Sequence, residues 1–328
     1  MNVAVIGCGN IGTKRARAVA ESGRGALAAL VELRDGRRRD LADEFDAPVA
    51  SDYRPIIHEQ AIDAVIVATP PSDGWRIALE SLQAGKHVLC EKPLGRSVPE
   101  AQRVTDLAQN RGLVLKCGFN LRHDEGLGQA FKWIEDGRIG TPYFLKCAYV
   151  NGAVAANANR VGSLLDMGTH VLDLVRWFLG DLIVEGAALS RCEYGIEDLD
   201  DNGFAIVRAG MVAAALHFSF VRWQNAFVLE VSGASGAVEV VNLPKWGTQT
   251  LTHFRRVLPS GVPALEQVTF HGDRSWVNEW HEFSRCIQTN DLRWNGDGLA
   301  ALRLAEALRA AARPQEPRGP AVEALATR

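Results

Sequence analysis

The chain has 328 residues, 47% of them hydrophobic and 23% charged, with a formal net charge of −3. That length and apolar content predict about two globular domains. The interspersed, nearly balanced charge excludes a surface built for nucleic acid, and no apolar run reaches the ~18 residues of a membrane span. The six cysteines are scattered without zinc-ligand or redox spacing, which predicts reduced thiols, no metal site and a cytoplasmic protein. The first residues run straight into a strand, with no basic-then-apolar leader.

Asn2–Ile6 is a β-branched run suited to a buried parallel strand. Gly7-Cys8-Gly9-Asn10-Ile11-Gly12 follows at once, then a helix over Thr13–Ser22, stopped by Gly23 and Gly25. A second strand, Ala26–Val31, ends in Glu32, 20 residues past Gly12. A G-x-G-x-x-G that closes a strand and opens a helix, with an acid at that distance, predicts a dinucleotide site. Gly7 permits the tight turn, Gly9 lets a pyrophosphate approach the backbone, and Gly12 lets helix and strand pack closely. Glu32 would accept hydrogen bonds from ribose hydroxyls and repel a 2′-phosphate, so NAD is expected over NADP. Arg34 and Arg37 lie just beyond and offer the opposing choice. The bland alternative is an ordinary glycine turn.

The pattern repeats through helix Arg37–Phe45, strand Pro48–Ala50, a helical turn at Asp52–Ile57 and strand Ile62–Ala68. Thr69-Pro70-Pro71-Ser72 reads as a loop over the nicotinamide side of the crevice. Helix Gly74–Ala84 leads to strand His87–Leu89 and then Cys90-Glu91-Lys92-Pro93-Leu94. Proline restricts its own φ and the residue before it, so Lys92 points one way at a strand's carboxyl end. A surface lysine in a tight turn is the plain alternative. Helix Val98–Arg111 and strand Leu113–Cys117 complete a six-stranded, doubly wound parallel sheet.

Gly118-Phe119-Asn120-Leu121-Arg122-His123 marks the crossover, and a helix spans Gly126–Asp136. From Pro142 the texture changes to alternating runs at Tyr143–Val150, Val184–Cys192, Phe204–Ala209, Val212–Val221, Phe227–Ser232 and Ala237–Val241, an antiparallel, hairpin-rich sheet. Its second face is apolar enough to call for another subunit. One helix, Ser163–Leu179, interrupts it. Asp166, His170 and Asp173 fall at i, i+4 and i+7 and so share a helix face. A core histidine satisfied by a neighbouring carboxylate is the alternative. Helices from Ser275 to Ile287 and over Ala300–Ala312 end the pattern, the second expected to pack back on the nucleotide-binding half.

The Gly7–Gly12 fingerprint, Gly85-Lys86-His87-Val88-Leu89-Cys90-Glu91-Lys92-Pro93-Leu94, Gly118-Phe119-Asn120 and Asp166-x-x-x-His170, in that order and at those spacings, resemble the Gfo/Idh/MocA oxidoreductases, the family of glucose–fructose oxidoreductase and inositol dehydrogenase. The resemblance covers roughly residues 1–290. It implies an N-terminal Rossmann domain over 1–120, an α+β domain over 121–313 with a large, mostly antiparallel sheet, and a loose tail over 314–328. It implies a homodimer or homotetramer formed through that sheet. It implies that Lys92 contacts the substrate hydroxyl and the nicotinamide region, that His170 exchanges the proton and that Asp166 orients substrate or histidine. Asn120, Arg122 and His123 then stand at the substrate mouth, and Thr69, Pro70, Trp75 and Glu91 beside the cofactor. The chain departs from the family pattern at Trp75, where many relatives have histidine.

These residues suit oxidation of a secondary alcohol, with NAD as hydride acceptor, a histidine base and a lysine that stabilises developing alkoxide. The polar set favours a sugar, cyclitol or nucleotide-linked sugar. An NAD-dependent glycosidase or epimerase that retains its cofactor, or a non-catalytic dinucleotide sensor, are the competing functions. The loop Asn151–Val161 is expected to cover the substrate.

Overall fold

The computed structural model describes residues 1–152, 161–192, 199–259 and 261–312. The tail 314–328, and the loop 151–161 apart from its ends, lie outside the described residues. The first half alternates β1 (Asn2–Ile6), α1 (Asn10–Ser22), β2 (Ala26–Val31), α2 (Asp35–Glu44), β3 (Val49–Ala50), α3 (Arg54–His58), β4 (Ala64–Val67), α4 (Pro71–Gln83), β5 (His87–Cys90), α5 (Val98–Arg111) and β6 (Leu115–Cys117). The strands form one parallel sheet in the order β3-β2-β1-β4-β5-β6. The order reverses between β1 and β4, so a crevice opens beyond their carboxyl ends.

Among the boundaries that differ from the sequence pattern, two beside the crevice do so for a local reason. Asn10, Ile11 and Gly12 are already the first turn of α1, which leaves the amides of that turn without intrahelical acceptors. Helix α4 begins at Pro71, whose fixed φ and missing N–H suit a first helical position, so Pro71 and Ser72 are helix rather than loop.

The second sheet runs β14-β13-β12-β11-β7-β10-β9-β8, from β7 (Pro142–Val150), β8 (Ile183–Ser190), β9 (Asn202–Ala209), β10 (Val212–Ser219), β11 (Ala226–Gly233), β12 (Gly236–Val241), β13 (Gln249–Arg255) and β14 (Ala264–Phe270). Only β7 and β10 pair in parallel. Strands β13 and β14 escape the hydrophobic pattern for different reasons: β14 is an edge strand, exposed along most of its length, and reads as Ala-Leu-Glu-Gln-Val-Thr-Phe, whereas β13 is interior but buries polar Gln249, Thr252 and His253. Helices α6 (Glu125–Glu135) and α7 (Thr169–Leu179) cover one face. A π-helical turn, Leu164–Gly168, leads into α7. The other face leaves Phe204, Ile206, Phe144 and Leu265 exposed around the cross-strand series Lys146, Glu230 and Glu239.

Two late helices return to the first sheet. In α8 (Ser275–Thr289), Trp280, Phe283 and Cys286 join Val3, Val5, Leu30, Ile66 and Leu89 in the core on the α1 side. Helix α9 (Asp297–Ala311) packs Leu299, Leu302, Ala305 and Leu308 between α5, α7 and β8. Asn295, just before it, accepts from Leu115 N and donates to Leu113 O, fastening this segment to β6. Among the described residues no helix is long and apolar enough to cross a membrane.

Candidate active site

Two of the three fingerprint glycines, Gly7 and Gly12, are sterically required. Gly7 has φ +88, and a Cβ there would lie 2.7 Å from Thr69 Cγ2. A Cβ on Gly12 would collide with Gly7 O, whereas one on Gly9 would meet nothing within 4 Å. The surface over Gly9 is therefore open to a ligand, and α1 starts there with neither a side-chain cap nor an acid in its first turn. An uncapped helix N-terminus behind a bare glycine fits a pyrophosphate. At the end of β2, buried Glu32 accepts from Arg34 N at 3.1 Å, Nε at 3.0 Å and Nη2 at 3.2 Å. Burial pushes the Glu32 carboxyl up, but the Arg34 hydrogen bonds outweigh it and hold it below its ordinary range. Arg37 is bound to the fingerprint turn, donating to Thr13 Oγ1 at 2.9 Å and Cys8 O at 3.3 Å.

The reacting end lies at the tips of β5 and α7. The Lys92-Pro93 peptide is cis. Lys92 Nζ donates to Asp166 O at 3.0 Å and forms a close ion pair with Asp166 Oδ1. Burial pulls the ammonium's pKa down, yet the charge and hydrogen bond of Asp166 outweigh it and leave it raised. One turn on, His170 is 6% exposed, with the ring of Phe119 edge-on at 5.9 Å and that of Tyr149 at 5.8 Å. Its buried Nδ1 makes no hydrogen bond. Burial first, then the charges of Lys92, Lys245 and Arg15, push its pKa well below the histidine range, so the imidazole is neutral.

Asp173 takes a different course. It is buried and receives Arg122 Nε at 2.7 Å and Nη2 at 2.6 Å, while Arg122 Nη1 lies 3.3 Å from Asp297. Burial raises Asp173 to about 6 despite the arginine. Asn120 Nδ2 donates to Ser275 Oγ at 2.8 Å. The guanidinium of Arg122 and the amide of Asn120 thus tie the crossover turn to α7, α8 and α9. Thr69 Oγ1 and Trp75 Nε1 are buried beside the crevice without a hydrogen bond, and Pro70 caps α4.

Residues 1–119 match the family profile described as oxidoreductase family, NAD-binding Rossmann fold, and residues 128–239 match the GFO/IDH/MocA C-terminal domain. The chain belongs to the GFO/IDH/MocA oxidoreductase family. Among its relatives are the inositol 2-dehydrogenase of Burkholderia multivorans, 30% identical over 76% of this chain and 77% of that one, and inositol 2-dehydrogenase 3 of Saccharopolyspora erythraea, 28% identical over 85% and 84%. The oxidoreductase YrbE of Bacillus subtilis is 29% identical, and the match spans about three fifths of each chain, 62% and 61%. The fold is that of levoglucosan dehydrogenase in complex with NADH and levoglucosan, with a TM-score of 0.85 at 22% identity over 95% and 97% of the two chains. It is equally similar to a 3-ketoreductase from Actinomadura kijaniata in complex with NADP and TDP-benzene, at 0.83 and 25% over 95% and 98%.

Within this family member, a buried charge ladder stands behind the reacting end. Glu91 accepts from Arg15, Arg15 pairs with Glu279 of α8, and Lys116 Nζ lies 3.3 Å from Glu279 Oε1. Arg15, Lys116 and Glu279 are all buried. A Cβ on Gly118 would lie 2.7 Å from Arg15 Nη2, so the glycine of Gly118-Phe119-Asn120 makes room for the pair. Sequence reasoning passed over Arg15, Lys116, Glu279, Tyr149 and Lys245. Only Arg15 carries a local signal, a charge on the buried face of α1 between Gly12, Ala16 and Val19.

Proposed function

We propose that the protein moves a hydride between a nicotinamide cofactor and a secondary alcohol or ketone of a polyhydroxylated substrate, a sugar, cyclitol or nucleotide-linked sugar. The observation that carries this reading is the ion pair of Lys92 with Asp166 one helical turn from a neutral His170, at the switch point of a dinucleotide-binding sheet. Gly7, Gly9 and the amides of Asn10, Ile11 and Gly12 hold the pyrophosphate, and Glu32 holds the ribose hydroxyls and favours NAD over NADP. Thr69 and Pro70 line the nicotinamide end. Glu91 acts from beneath, fixing the backbone that carries Lys92.

When bound, the cofactor supplies the hydride acceptor. An ammonium has three N–H donors, and Asp166 occupies two of those on Lys92, which leaves one for the substrate oxygen. That bond stabilises negative charge as the hydroxyl loses its proton. The neutral imidazole of His170 accepts that proton, and in ketone reduction it returns it. Asp166 keeps Lys92 charged and aimed. Asn120 and Arg122 shape the substrate side by fixing the turn between the two sheets.

We divide the chain into a nucleotide domain over 1–120 and a substrate domain over 121–313. A second copy covers the exposed face around Phe144, Phe204 and Ile206, making a homodimer or homotetramer. Free thiols, five of them buried, suit a cytoplasmic protein. The test is the absorbance of reduced nicotinamide with NAD and a panel of myo-inositol, levoglucosan and glucose. Sustained reduction that disappears in Lys92→Ala, while NADH still binds, supports the reading. Tight cofactor without net turnover replaces it with the cofactor-retaining glycosidase or epimerase.

A further inference from the structure

A groove of about 260 Å³ runs between α1 and the start of α8, lined by Lys14, Arg17, Glu21, Lys245, Asp273 and Trp276. Two side chains, Lys245 on its wall and Tyr149, link it to His170. Lys245 Nζ donates to Tyr149 Oη at 2.7 Å, and the Tyr149 ring packs edge-on against His170. Tyr149 is buried and Lys245 also lies over the Trp246 ring at 4.7 Å, so the ammonium is held between two aromatic faces.

The groove's charges are not equally available. Arg17 is paired with Glu44. Asp273 is consumed at the start of α8, where it accepts from Ser275 N, Ser275 Oγ and Trp276 Nε1. Glu21 lies at the far end of α1, two turns beyond Lys14. Among the described residues neither Lys14 nor Lys245 has a carboxylate partner; Lys14 instead stands 5.7 Å from the Trp276 ring centroid. Two ammonium groups without counter-ions thus share one groove, with an indole as its wall and Lys245 at its inner end.

We propose that this groove is an anion subsite of the sugar site: Lys245 and Lys14 bind a carboxylate or phosphate carried by the polyhydroxylated substrate, which is therefore an acidic sugar or a sugar phosphate. The inference rests on the hydride-transfer reading for the choice of substrate, and on the groove alone for the charge. The same chemistry would also suit the cofactor's own pyrophosphate, so the test separates the two sources.

Glucose, glucuronate and glucose 6-phosphate are titrated calorimetrically into the NADH-loaded protein, its Lys245→Met and Lys14→Met variants, and NADH is titrated into each protein alone. At least one acidic sugar is expected to bind about tenfold more tightly than glucose, with the preference lost in Lys245→Met and weakened near 0.5 M salt, while NADH affinity is unchanged. A preference that survives Lys245→Met, or no preference, overturns the subsite. A fall in NADH affinity without any sugar preference assigns the ammonium groups to the cofactor and likewise overturns it. Turnover of neutral polyols with no effect of either variant leaves hydride transfer standing and removes only the anion subsite.

Discussion

Glu91 Oε1 accepts two hydrogen bonds from Arg15, from Nε at 2.8 Å and from Nη2 at 2.6 Å, and so ties the residue before Lys92 to the helix that opens the dinucleotide site. The other side of Arg15 is neutralised by Glu279, which also faces Lys116. Removing one member of a buried pair strands the other charge, which costs about 3–5 kcal/mol. Glu279→Gln is expected to lower stability by that order in urea unfolding. Glu279→Asp, which keeps the charge, is expected to lose less. Equal losses in both would assign the site to packing rather than charge.

Lys92→Met removes the donor that the proposed mechanism gives to the substrate oxygen, and one of the charges that depress His170. Turnover is expected to fall by about 10²–10³-fold, as when one oxyanion donor is lost. NADH affinity, which the proposal assigns to α1 and Glu32, is expected to stay within about twofold. Any residual activity should show its acid limb moved to higher pH, since His170 then titrates nearer its ordinary value.

His170 and His123 are both held well below the histidine range, His123 by burial first and then by Lys116, Arg122 and Arg15. Below about pH 6.5 the unfolded chain binds protons that these two native histidines refuse, so each removes stability on acidification, up to about 1.4 kcal/mol per pH unit. Asp124 and Asp173 are each raised to about 6 by burial, which outweighs the hydrogen bonds and ion pairs that lower them. They bind protons in the folded state before the unfolded one and return stability between about pH 6 and 4. The doubly substituted His123→Gln/His170→Gln protein is therefore expected to lose less stability than the parent between pH 7 and pH 6, measured by urea midpoint. A parallel pH dependence in the two proteins would contradict the depressed histidines.

Glu32→Ala removes the carboxylate proposed to hold the ribose and frees Arg34. The parent is expected to favour NAD over NADP by at least about tenfold in Kd, and the variant to narrow that ratio mainly by gaining NADP affinity. Equal affinities in the parent would remove Glu32 from the cofactor assignment.

The first sheet was legible because buried parallel strands are unbroken apolar runs and the glycines of Gly7–Gly12 have a local reason to be glycine. The substrate-side sheet was legible where apolar residues alternate regularly, so β7 to β12 were anticipated, whereas the exposed edge strand β14 and its neighbour β13, which buries polar Gln249, Thr252 and His253, were not. The stripe of Asp166, His170 and Asp173 assumes an unbroken α-helical period. The π turn at Leu164–Gly168 and the pull of Arg122 on Asp173 leave Asp166 and His170 near Lys92 while Asp173 serves the fold. Nothing near Arg15 in the sequence announces Glu279, 264 residues away.

That separation has a consequence for synthesis. The strand-and-helix half that will grip the dinucleotide leaves the ribosome with the guanidinium of Arg15 and the ammonium of Lys116 still lacking Glu279, and with the surface that Trp280 and Phe283 will cover still wet. Translation adds about 5–20 residues per second, so this half waits on the order of ten seconds or more for its closing helix. The nucleotide-binding half is therefore not a transferable cassette: a chimera that cuts after β6 and takes its remaining chain from a relative must also carry α8.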